Sequence, residues 1–145
     1  MAIVSSVYAP FLRDTLDNVS RSIATLVTGQ LTRTTHTGNH DTDDFRDDVS
    51  ADAQGTNTAV GGTGVATVSI DTAGDEVEVD VPDTTWSAVS DGTDSGGFIL
   101  YSNVGTPATD WLICSNKFVA DVTPNGSDIT VTMNIEGVFK ISYTQ

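Results

Sequence analysis

The sequence predicts a mainly β fold: an antiparallel β-sandwich or barrel-like domain with one short N-terminal helix. Three observations carry this. Val77, Val79 and Val81 alternate strictly with Glu76, Glu78 and Asp80, a period of two that sends the valines to one face of a strand and the carboxylates to the other. A helix would scatter those carboxylates over several faces. Phe98-Ile99-Leu100-Tyr101 and the run Trp111–Val119 are short and apolar throughout, the pattern of strands buried on both faces. Turn signals separate such runs every 8–12 residues or so, as in a sandwich or barrel.

Taken in order, Pro10 to Val19 reads as the helix. Pro10 fits the first helical position, where its missing N–H costs nothing, and Leu12, Leu16 and Val19 recur at helical spacing beside Phe11. Ile23 to Leu31 is an apolar, Thr-rich run expected to form a strand. From Thr32 to Gly64 the chain is nearly all polar and reads as an extended loop segment, with Phe45 as an anchor and Gly61-Gly62-Thr63-Gly64 as a flexible turn. A loop this long within a compact domain is usually functional or mobile.

Beyond it, Ala66, Val68 and Ile70 alternate with Thr67, Ser69 and Asp71, and Thr84-Thr85-Trp86 resumes a strand after Pro82. Pro124-Asn125-Gly126 is a strong turn signal. Ile129, Val131, Met133 and Ile135 then share one parity with Phe139, Ile141 and Tyr143, interrupted by Gly137 as at a bulge. These residues are expected to close a hairpin with the preceding strand. The expected organisation is a single domain over 1–145: helix and strand in 1–31, the polar segment in 32–64 and a β core in 65–145. A chain of 145 residues buries roughly 68–70% of its unfolded surface, enough for one core without staples.

Composition bounds the function. Twenty Asp and Glu oppose six Lys and Arg, for a formal net charge of -14, and no Lys or Arg falls between Arg46 and Lys117. A surface of that sign repels nucleic acid, so none is expected as a partner. The one cysteine, Cys114, lies in an apolar run and is expected as a core thiol. No apolar run approaches the ~20 residues of a membrane span, and Met1-Ala2-Ile3-Val4-Ser5 lacks the basic and apolar stretches of a secretory signal.

The residues that could carry chemistry are few. His36 and His40, with Asp41, Asp43 and Asp44, could form a metal site, but the surrounding Thr, Gly and Asn favour a solvated loop over a helix presenting both rings. No Cys/His zinc spacing occurs, and the Asp run lacks the order of a calcium-binding EF-hand. Neither histidine sits in a recognised nucleophile–base context. Trp86, Tyr101 and Trp111 could line a sugar platform, though their place in or beside apolar strands points to core packing. No catalytic, cofactor-binding or metal-ligating residue is expected, and the reading is non-enzymatic.

The order Trp86, Gly97-Phe98-Ile99-Leu100-Tyr101, Gly105-Thr106-Pro107-Ala108-Thr109-Asp110-Trp111-Leu112-Ile113, Val122-Thr123-Pro124-Asn125-Gly126 and Gly137-Val138-Phe139-Lys140-Ile141 resembles a widespread family of small β-rich structural proteins of tailed bacteriophages, of the head decoration or cement type. A short helix, a strand and a segment like Asp43-Asp44-Phe45-Arg46-Asp47-Asp48-Val49 precede these motifs in the same order. The Gly-Thr-Pro-Ala-Thr loop is the most distinctive piece. The chain departs from the pattern in the Ser-rich stretch around Arg21 and Ser22 and in its acidity, which leaves the docking surface open.

The resemblance implies a virion protein made in the host cytoplasm and placed in many copies on the phage head. Its implied partner is the major capsid protein, with no cofactor and no catalytic residue. A homo-oligomer, preferably a trimer, is the expected assembly. Phe11 and Leu12 on the helix, and Phe45 and Arg46 in the polar segment, are the expected protein-interface residues. The alternatives are a tail, neck or fibre component, or a carbohydrate-binding surface module.

Overall fold

The computed structural model describes residues 3–8, 11, 26–54, 61–65, 67–71, 76–90, 92–134 and 139–142. Among them run ten strands: β1 (Ile3–Val7), β2 (Leu26–Arg33), β3 (Gly61–Val65), β4 (Thr67–Asp71), β5 (Glu76–Asp80), β6 (Thr84–Trp86), β7 (Ser95–Ser102), β8 (Leu112–Val122), β9 (Ile129–Val131) and β10 (Phe139–Ser142), with a 3-10 helix at Arg46–Asp52. The fold is mainly β, as the alternation predicts, and the strand pairs are antiparallel. Of the expected N-terminal helix only Phe11 is described, and it is helical and buried. The rest of that expectation lies outside the described residues.

Three sheets form, with orders β1-β8-β7-β2-β3, β10-β5-β4 and β6-β9. β7 and β8 lie inside the largest of them, and every residue of β7 is buried, which accounts for its uninterrupted apolar run. The β4–β5 hairpin pairs Val68 with Val79 and Thr67 with Asp80. Val79 and Val81 are buried while Asp80 is half-buried, in line with the alternation.

Two expectations about connectivity are overturned. The predicted turn at Pro124-Asn125-Gly126 forms, with Gly126 at φ 86 and the Ser127 N–H donating to Asn125 Oδ1 at 3.1 Å. It does not close a hairpin. The Gly126 N–H donates to the Val89 carbonyl and the Val89 N–H to the Ser127 carbonyl, so the chain is handed across to β6. β9 therefore pairs β6 and β10 pairs β5. Strand parity fixes which face a residue occupies and says nothing about which neighbour the strand selects. Likewise Gly61-Gly62-Thr63-Gly64, expected as a turn, lies in β3 and pairs with β2. Glycine weakens a strand without forbidding it.

Cross-strand partners share a face, so the register divides the central sheet into two unlike sides. One carries Leu31, Phe98, Leu100, Cys114 and Phe118, and β6 covers it. Gly29 makes the close approach possible, since a Cβ there would stand 2.9 Å from Thr84 Cγ2 and from Trp86 Cζ2. The indole lies instead against the Gly29 backbone, with Nε1 donating to the Gly29 carbonyl at 3.3 Å. Trp86, Phe98 and Phe118 then stack in a tilted series, with centroids 5.7 and 5.8 Å apart. Cys114 is fully enclosed here, and burial pushes its thiol up to about 12, as expected for a core thiol.

The opposite side carries Thr28, Gln30 and Thr32 on β2, Ile99 and Tyr101 on β7, and Ser115 and Lys117 on β8. Alternation alone would leave the β2 residues in water. They are buried instead, and the chain from Thr34 to Gln54 returns to this face, with Ala53 bridged to Thr32 and Arg46 stacked on Tyr101.

Candidate functional site

The polar segment is built from turns that its own residues specify. The His36 N–H closes a turn on the Arg33 carbonyl, and the Thr42 and Asp43 N–H groups close on that of Asn39. Asp43 Oδ2 accepts from the Asn39 N–H at 2.7 Å, the local side-chain bonding that makes Asn and Asp favoured in turns. Asp48, third in the 3-10 helix, accepts from the Phe45 N–H at 3.0 Å and the Asp44 N–H at 3.1 Å, one half of a capping box. Those hydrogen bonds, that of Phe45 foremost, hold its carboxyl below the ordinary aspartate range.

Several contacts fasten this segment to the sheet. The Phe45 ring packs on Trp111 with centroids 4.3 Å apart, and the two residues form an isolated bridge. The Leu112 N–H donates to the Asp44 carbonyl at 3.0 Å and the Gln54 N–H to the Leu31 carbonyl at 3.1 Å. Gln54 is buried, and its Nε2 donates to the Thr93 carbonyl.

Arg46 Nη2 lies 3.0 Å from Asp110 Oδ2, which is 1% exposed. The contact is an ion pair without the alignment of a hydrogen bond. The same guanidinium stacks 4.6 Å over the Tyr101 ring. Burial raises the Tyr101 hydroxyl above its ordinary range, with Arg46 opposing the rise. Asp110 also accepts from the Val104 and Gly105 N–H groups at 3.0 and 3.1 Å, so one carboxylate folds the Gly-Thr-Pro-Ala-Thr loop and locks it to the polar segment.

Of the residues expected at an interface, Phe45 and Arg46 are thus turned inward, and Phe11 lies in the hydrophobic core. Leu12 falls outside the described residues. The expected solvated loop around the histidines is also corrected: both rings are drawn inward by polar partners, His36 by Asp52 at the end of the 3-10 helix and His40 by Ser115 on β8. His36 Nδ1 donates to Asp52 Oδ2 at 3.0 Å, with the side chain 11% exposed. Its Nε2 is buried without a hydrogen-bond partner. His40 Nε2 is 2.6 Å from Ser115 Oγ, and its ring lies 4.7 Å from that of Tyr8.

The Tyr8 hydroxyl faces Ser115 without closing a well-formed bond and is raised above its ordinary range, mainly by burial. Gly38 fits between, since a Cβ there would stand 2.8 Å from the Tyr8 hydroxyl and 3.1 Å from His36 Nε2. Among the described residues no group of three or more His, Cys, Asp or Glu side chains is placed to hold a metal.

Beside this cluster opens a cleft of about 290 Å³, between the Arg33–His40 stretch, the start of β7 and the middle of β8. Arg33, His36, His40, Ser115 and Lys117 line it. The His40–Ser115 pair joins positions 75 residues apart, which is why local sequence context does not disclose it. The pair resembles a base and a nucleophile, but Ser115 stands mid-strand in β8, laddered to β1 on one side and β7 on the other. The backbone N–H groups around it are committed to those ladders and leave no pair to receive an oxyanion. Trp86 is buried in the core and Trp111 is pressed under Phe45, so the two do not form a shared sugar platform.

No family model, no curated protein and no solved structure matches this chain. No helix among the described residues is long and apolar enough to cross a membrane.

Proposed function

We propose that the chain is a non-enzymatic structural protein of a tailed-phage virion, a decoration or cement protein that binds the outer surface of the head through the major capsid protein. The observation that carries this reading is the fastened polar segment. Residues 34–54 hold little regular structure, yet Phe45, Arg46, Asp52 and Gln54 tie them down from within. Ordering a polar surface in advance lowers the entropy cost of docking, and repetition over a symmetric lattice multiplies modest single contacts. The inward Phe45 and Arg46 shape this surface, while exposed neighbours such as Asp41, Asp47 and Ser50 would meet the partner. The mainly β scaffold and the motif order fit the same reading, with a trimer as the preferred assembly.

The test is reconstitution. Heads stripped of the protein are mixed with the purified chain, sedimented and heated. Saturable binding that raises the temperature of head disruption is the expected result. Recovery of the chain with tails and not with heads would sink the proposal and favour the tail or fibre alternative.

A further inference from the structure

The cleft beside β8 is electrostatically unlike the rest of the molecule. Of six Lys and Arg in a chain of net charge -14, Arg33 and Lys117 both line it, together with both histidines. Arg33 and Lys117 are exposed, and neither forms an ion pair with a described residue. Arg46, by contrast, is consumed by Asp110. Two unpaired cations at one concave site of an acidic protein focus potential there and draw in anions.

The remaining lining offers the hydroxyl groups of Thr34, Thr37 and Ser115. His36 adds a nitrogen that is buried and unpartnered. Because Nδ1 must carry a proton to donate to Asp52, the neutral ring presents Nε2 as an acceptor. A ring-nitrogen acceptor and several hydroxyls suit a polyhydroxylated ligand, which brings many donors, whereas inorganic phosphate at neutral pH brings only one or two. The cleft also lacks the features that favour phosphate. No helix N-terminus is among its lining residues.

We infer that this cleft binds a hydroxylated carboxylate of monosaccharide size, of the uronic-acid class, with Arg33 and Lys117 on the carboxylate and the Thr, Ser and His groups on the hydroxyls. The volume of about 290 Å³ lies at the small end of ligand sites, suited to a single sugar unit. The inference does not depend on the virion reading and holds for any location of the protein.

The experiment is titration of the isotope-labelled full chain with glucuronate, glucose, inorganic phosphate and a short Glu-rich peptide, followed by amide chemical shifts. Glucuronate is expected to move the Gly96, Gly97, Ser115 and Lys117 amides saturably. Glucose and phosphate are each expected to bind at least tenfold more weakly. Arg33→Gln and Lys117→Gln are each expected to weaken glucuronate about tenfold, equivalent to about 1.4 kcal/mol. Both positions are exposed, so melting should be unchanged, and a variant that melts early is replaced by a salt titration of the parent chain, which is expected to show the same loss. Phosphate or peptide binding as tightly as glucuronate, equal binding of glucose, or no movement of those amides with any probe would each overturn the inference.

Discussion

The two faces of the central sheet are covered by opposite means. On one, β6 lays Trp86 onto Gly29 and Phe98, and burial of apolar surface does the work. On the other, a segment poor in apolar residues returns to the face that carries Thr32 and Tyr101, held by the Arg46–Asp110 ion pair, a cation stacked on Tyr101, two ring contacts and scattered hydrogen bonds. The apolar cover tolerates no vacancy but is indifferent to pH. The polar cover depends on a few directional contacts, each of which is strong only while its partner is present. Stability should therefore fail globally from the first face and locally from the second.

The largest expected effect is on the apolar face. Trp86→Ala should cost about 3–5 kcal/mol, by loss of the indole and the cavity left behind, and the loss should appear in every probe of denaturant unfolding at once. Next is Asp110→Ala, which strands the Arg46 guanidinium and unties the Val104 and Gly105 N–H groups. A cost of about 3 kcal/mol is expected, as for a partly buried ion pair broken on one side. Arg46→Ala combined with Asp110→Ala should cost less than the two singles summed, by about 0.5–3 kcal/mol, in a double-mutant cycle. Additive costs would mean that the pair does not hold the loop.

Much of the first face was legible in the sequence and little of the second. The buried strand at Phe98–Tyr101, the alternation through Val79 and Val81, the core cysteine and the turn at Asn125-Gly126 all follow from local pattern, because burial on a strand is written at a period of two. Pairing is not written there, so the shared parity of β9 and β10 suggests a hairpin while the strands join β6 and β5. The covering segment was legible as polar and long, but its order was not. Asp110, Trp111 and Ser115 lie more than sixty residues from the Phe45, Arg46 and His40 side chains they receive. A usable signal existed in Phe45 and Arg46, an aromatic and a cation standing alone in a run of aspartates. Such residues, lacking local partners, suit inward anchoring as well as outward contact, and here they anchor inward.

Smaller perturbations sharpen the contrast. Phe45→Ala, which removes a half-buried ring from Trp111, should cost about 1–2 kcal/mol and raise Trp111 fluorescence quenching while leaving Trp86 shielded. Uniform exposure of both indoles would erase the distinction between the faces. Asp48→Asn should have the smallest effect, under about 1 kcal/mol at neutral pH. Because the folded carboxyl titrates below its ordinary value, its contribution is complete above the ordinary aspartate range, around pH 4, and fades as pH falls through the lower folded value. The difference between parent and variant should accordingly shrink on acidification, in parallel urea titrations at neutral and acid pH.

Native-state hydrogen exchange tests most directly whether the polar segment is a fixed surface. The amides of Arg46, Gln54 and Leu112 bond to the carbonyls of Asp110, Leu31 and Asp44, and so report on its fastening. Protection of all three well above that of exposed turn amides, lost locally in Asp110→Ala while the β7 amides stay protected, is the expected result. Exchange of Arg46 and Gln54 at unprotected rates in the parent chain would contradict it, for the segment would then be a mobile loop and no preformed docking surface.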